Sequence, residues 1–200
     1  NYILDFDSKS SYFKEEVTLD AGGSGGGGFN WMQFVVGPDQ GDIYKDVQEK
    51  MYINKRELFG KVFLIKDNIE PTKWVMTGES KKIGQYNAFK ATYTKEVEEQ
   101  VFSFSRRQQQ NNDQENNNPA QPKTKLVTMT AWFTPEIPVS TGPAMYGGLP
   151  GLILEISDGN RTMLCTKVVI NPKEKIKIKE PSKGKIVSNL EFKKIQEDKM

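Results

Sequence analysis

The chain has 200 residues, 36% of them hydrophobic and 10% aromatic, which suffices to bury the core of one modest domain. Its 28 Lys and Arg against 26 Asp and Glu leave a net charge of +2, too balanced to imply a nucleic-acid groove, which needs Lys and Arg massed on one face. No stretch approaches the roughly 18 consecutive apolar residues of a membrane-crossing helix, and the single Cys165 excludes an internal disulfide.

β-branched and aromatic residues recur between Gly, Asn, Asp and Pro breaks, a pattern that predicts a mainly antiparallel β chain. Segments 2–6 and 11–17, joined by a polar turn, read as a hairpin. Strands are predicted over 50–54, 58–65, 73–78, 88–98, 126–133, 151–156 and 162–170. The connections at 67–71 and 157–160 are short, which favours sequential neighbours over βαβ crossovers. One helix is predicted, at the C-terminus: Ser188 caps it, Glu191 completes a capping box, and Leu190, Phe192 and Ile195 offer apolar anchors. The expected fold is a single curved antiparallel sheet or an incompletely closed β-barrel with long loops over 1–171, then a Lys-rich tail with a short helix over 172–200.

Two insertions break the pattern. The Gly-rich run 22–28 reads as a flexible loop, and the Asn/Gln-rich run 108–121 has too few apolar groups to offset its ordering entropy, as at the tip of a long hairpin. No Lys-Ser or Lys-Thr follows the glycines, so they are not a phosphate-binding loop. The Lys-rich stretch 173–185 offers charge to an acidic surface, but interleaved Glu174 and Glu180 and the breaks at Pro172 and Pro181 fit a solvated tail as well.

Catalytic patterns are scarce. The chain has no His, which removes the usual general base, zinc ligand and activator of a Ser or Cys nucleophile. Cys165 lies in an apolar run and reads as a buried structural thiol. Carboxylate pairs at Asp5/Asp7, Glu15/Glu16 and Glu96/Glu98/Glu99 leave a carboxylate-dependent hydrolase formally open. No spacing points to a metal or another cofactor, so none is expected.

The richest segment is Tyr146-Gly147-Gly148-Leu149-Pro150-Gly151-Leu152-Ile153-Leu154-Glu155-Ile156. Pro150 fixes φ, Gly148 and Gly151 permit positive φ or close backbone approach, and alternation places Leu152, Leu154 and Ile156 on one strand face with Ile153 and Glu155 on the other. Such a corner can align two core strands. Alternatively, Trp132, Tyr146, Leu149 and Pro150 frame an apolar mouth with Phe133 and Met145 as walls.

Residues Gly148 to Ile153 spell GLPGLI. Upstream stand Thr130-Ala131-Trp132-Phe133-Thr134-Pro135-Glu136-Ile137-Pro138, then Gly142-Pro143, with looser matches at Lys82-Ile83-Gly84-Gln85-Tyr86, Lys90-Ala91-Thr92 and Tyr12-Phe13. Over residues 2–170 the chain resembles the GLPGLI family of Bacteroidota cell-envelope proteins. It departs from that family at Ala88, where many members carry Cys, and in its two polar insertions. The resemblance implies an exported protein, periplasmic or outer-membrane associated, and the start at Asn1 without a leader fits a processed chain. It also implies a non-enzymatic binding or accessory role, with an outer-membrane protein such as a TonB-dependent receptor as partner, or with a hydrophobic ligand. A periplasmic carrier of a lipid or lipopeptide in a half-barrel is the alternative.

Overall fold

In the computed structural model, residues 1–16, 41–98, 124–174 and 176–198 are described; the runs 22–28 and 108–121 lie outside them. The alternating segments form β1 (Tyr2–Phe6), β2 (Ser10–Glu15), β3 (Asp42–Asp46), β4 (Met51–Leu58), β5 (Lys61–Asn68), β6 (Val75–Ile83), β7 (Tyr86–Glu98), β8 (Thr124–Thr134), β9 (Leu152–Ser157), β10 (Thr162–Leu164) and β11 (Lys185–Val187), followed by helix α1 (Asn189–Glu197). The protein is mainly β, with one short C-terminal helix among the described residues.

The strands divide between two sheets and do not form a single one. One is six-stranded in the order β1-β2-β3-β4-β5-β11, the other five-stranded in the order β10-β9-β8-β7-β6, and the sheets do not close into a barrel. Every pairing is antiparallel except β5 with β11, which is parallel. β7 and β8 remain paired from Phe89 and Phe133 out to Glu98 and Thr124, beyond the last β6 partner at Thr92 and the last β9 partner at Thr130. They project as a two-stranded ribbon that leads into segment 99–123.

Two predicted strands change their bounds, and two strands are new. The expected strand 58–65 is interrupted, because Phe59 and Gly60, with φ of 50° and 70°, form the two-residue reversal that joins β4 to β5. The expected strand 162–170 stops at Leu164, although the Cys165 amide still donates to Leu154 O at 2.7 Å. β3 and β11 were not predicted at all.

Phe13 and Ile43 of the six-stranded sheet meet Ala91, Met129, Ala131, Phe133, Ile153 and Ile156 of the five-stranded sheet in one cluster, which fills the space between them. Tyr2 stacks on Phe13 at 5.3 Å. On the same side of the six-stranded sheet, Phe192 of α1 packs with Phe63, Ile65 and Val187, its ring edge-on to Phe63 at 5.4 Å. Burying a Phe side chain in this way stabilises by about 2–3 kcal/mol. The capping box forms as predicted: Glu191 N donates to Ser188 Oγ at 3.2 Å and Ser188 N donates to Glu191 Oε2 at 2.7 Å. Leu190 is not an anchor; it is 65% exposed, and Ile195 packs beside Phe192. On the opposite face of the six-stranded sheet, Ile178 covers Tyr44, Ile53 and Leu64.

Candidate functional site

The corner at 148–153 ends the long connection from β8 to β9. Gly148 has φ of 83°, and a Cβ on Gly151 would fall on the carbonyl oxygen of Thr134, so this approach of two backbones admits only glycine. Gly151 N donates to Leu149 O at 2.8 Å, Leu152 N to Ile137 O at 3.0 Å and Ile153 N to Thr141 O at 3.0 Å, while Thr141 and Gly147 form a bridge. Strict alternation along β9 fails. Glu155 pairs with Trp132 and Ile153 with Phe133, so Leu154 is an extra residue in a bulge. Ile153 and Ile156 therefore share the central cluster, and Leu152 and Leu154 join Ile137 in another.

Both sheets grip this connection through side chains that sequence reasoning missed. From β3, Lys45 donates through Nζ to Tyr146 O at 2.7 Å and to Gly142 O at 2.8 Å. Lys45 is 2% exposed, and burial pushes its ammonium down from 10.5 to about 7. On β2, Ser11 Oγ meets Thr141 Oγ1 at 2.9 Å. From the chain just before β6, Trp74 Nε1 donates to Gly147 O at 2.9 Å, and its ring stands edge-on to Tyr93 at 4.7 Å. A neutral amine keeps two N–H groups, enough for both carbonyls, so the Lys45 clasp survives loss of the proton. A group this enclosed can position the loop; it does not face a substrate.

The six residues expected around one apolar mouth separate. Phe133, Tyr146 and Leu149 lie in the central core, at 4%, 8% and 1% exposure, and Met145 packs against it. Pro150 is exposed. Trp132 is on the outer face of the five-stranded sheet, with Glu155 as its cross-strand neighbour.

That outer face carries an open groove lined in part by Trp132. Lys81 Nζ lies 4.3 Å and Lys90 Nζ 5.9 Å from the centroid of the Trp132 ring, a cation–π arrangement. Lys81 also pairs with Glu155 at 2.6 Å and Lys90 with Glu79 at 2.8 Å, so the charges around the ring are balanced. A shallow groove continues from Trp132 along Leu126, Thr128 and Thr130, bounded by Ser157 and Asp158. Leu126 is 66% exposed at its far end.

The other candidates are tied into the fold. Asp5 pairs with Lys14 at 3.2 Å, whereas Asp7 Oδ1 accepts from the amides of Lys9 and Ser10 in the β1–β2 turn. Glu15, Glu16 and Glu96 are exposed, and Glu99 lies outside the described residues. Cys165 is partly buried against the Ile137 cluster and donates to Lys167 O at 3.4 Å, and burial raises its thiol. Among the described residues no group of three His, Cys, Asp or Glu is placed to hold a metal ion.

Comparison with known proteins gives one finding. No curated protein matches the chain. A family model described as a protein of unknown function, Porph_ging, matches residues 74–155, from the tryptophan that grips the loop to the glutamate beside Trp132. The chain is thus similar, over most of its five-stranded sheet and the corner that closes it, to a family of unknown function.

Proposed function

We propose that the chain is a non-enzymatic cell-envelope binding protein of the GLPGLI family, exported to the periplasm or outer membrane, and that it associates with an outer-membrane protein such as a TonB-dependent receptor. The GLPGLI run at residues 148–153 supports the family, and the match over 74–155 covers the same segment. The observation that carries a binding role is the outer face around Trp132. A large aromatic ring, accessible Leu126 and a row of threonines lie beside charges already paired with one another, the composition of a surface that can be covered at small electrostatic cost. The half-barrel carrier has less support, because Phe13, Ile43, Met129, Phe133 and Ile156 occupy the space between the sheets.

The experiment is affinity capture from native envelope membranes with the tagged protein and its Trp132→Ala variant, followed by mass spectrometry. A stoichiometric outer-membrane protein held by the wild type and lost by a variant of unchanged melting temperature is the expected result. Equal capture by both would remove the Trp132 face from the interface, and capture of no envelope protein would remove the accessory role.

A further inference from the structure

A second groove lies on the outer face of the other sheet. Its floor is built by Asp5 of β1, Tyr12 and Lys14 of β2 and Lys55 of β4, and its wall by residues 176–183, which cross that face before the chain enters β11. The groove is open to solvent along its length and has a volume of about 410 Å³. Ile176, Lys177, Ile178 and Lys179 all line the wall, so apolar and cationic side chains stand next to one another along it. Ile178 packs on Tyr44, Ile53 and Leu64, while Ile176, which also lines the groove, is 57% exposed.

The charges are unequal. Five lysines line the groove against the carboxylates of Asp5 and Glu180. Lys14 is matched by Asp5 at 3.2 Å, Lys55 by Asp42 at 3.8 Å, and Glu180 is engaged by Lys66 at 3.5 Å. Lys177, Lys179 and Lys183 have no ion pair among the described residues. The Tyr12 hydroxyl donates to Asp42 Oδ2 at 3.0 Å, so its polar end is satisfied while the residue still lines the groove. An uncompensated cationic rim beside an apolar wall calls for a ligand with both characters.

We propose that this groove binds a single-chain anionic lipid, with its phosphate or carboxylate headgroup at Lys177, Lys179 and Lys183 and its alkyl chain against Tyr12, Ile176 and Ile178. One chain suits the volume, and the excess lysines supply the charge that a neutral amphiphile would leave unused. The site is independent of the Trp132 face, since it lies on the other sheet.

The test is calorimetric titration of the intact protein with dodecyl phosphate below its micelle concentration, in parallel with inorganic phosphate and dodecyl maltoside. Saturable one-site binding of dodecyl phosphate is expected, at least about tenfold tighter than that of either control. The exposed triple variant Lys177→Gln/Lys179→Gln/Lys183→Gln should keep its melting temperature and lose about tenfold in affinity, as three weak charge contacts imply. Ile176→Asn should weaken dodecyl phosphate and leave the response to inorganic phosphate unchanged. Unaltered affinity in the triple variant, inorganic phosphate or dodecyl maltoside binding as tightly as dodecyl phosphate, or absence of saturable heat would each overturn the proposal.

Discussion

Replacing Lys45 by Met keeps the length of the side chain and removes the buried amine, and the effect should depend on pH in a direction fixed by the site. Burial holds the folded-state ammonium at about 7, against an ordinary 10.5 in the unfolded chain. Below pH 7 both states carry the proton, and folding bears the full cost of burying the charge. Between 7 and 10.5 only the unfolded chain binds it, so wild-type stability rises with pH at up to about 1.4 kcal/mol per pH unit. Relative to Lys45→Met, the wild type should gain about 2 kcal/mol between pH 6 and pH 8.5, or about 4–8 °C in melting temperature for a chain of this size. Cys165 and the buried tyrosines, whose values are raised, titrate above that window, and Lys95, lowered by burial, is common to both proteins. Urea unfolding of both proteins at pH 6, 7 and 8.5 measures the difference directly. A difference that does not change with pH would refute the account, because it would mean that Lys45 has the same proton affinity folded and unfolded.

Three further outcomes follow from the corner and the helix cap. Gly151→Ala should lower stability by about 3 kcal/mol or more, because its Cβ meets the Thr134 backbone, which cannot move aside as a flexible side chain would; a melting temperature within a degree or so of wild type would count against this. Gly148→Ala should cost only about 1–2 kcal/mol, the conformational penalty alone, since the nearest atom to its Cβ is Trp74 Nε1 at 3.9 Å. Ser188→Ala should cost about 1 kcal/mol, and amide exchange should accelerate at Glu191, whose N–H the hydroxyl accepts; unchanged protection there would show that the cap does not hold the first turn.

What the sequence discloses is local, and what it conceals is pairing at a distance. The capping box needs only Ser188 and Glu191, and the first hairpin only the alternation on either side of a polar turn, so both can be read directly. The Phe59-Gly60 reversal is hidden because the first position of such a turn usually holds Asn, Asp or Gly, and Phe there continues the apolar pattern of a strand. β11 is three residues in a charged stretch and acquires its strand character from β5. At the corner, Gly148 and Gly151 are legible as glycines that a tight approach requires. The bulge at Leu154 is not, and it reassigns the faces of β9. Lys45 lies in a short segment, Asp42–Asp46, whose three central residues are all buried, so no alternation marks it as a strand. A lysine reads as a surface residue until the two carbonyls above it are known. Trp132 lies on the face of the sheet opposite Phe133, Tyr146 and Leu149, a separation that their closeness in the sequence hides.

The parallel contact between β5 and β11 has a consequence for how the protein is made. Lys185 meets Phe63 across about 120 residues of chain, so during synthesis the outer edge of β5 is complete long before the strand that covers it exists. Slow closure of distant pairs exposes an edge on which another chain can add. Messages cut short before residue 185 would yield a protein with most of its core and an open β5 edge, a species disposed to self-association and to proteolysis. Residues 185–187 thus protect from within the chain an edge on which another chain could otherwise add.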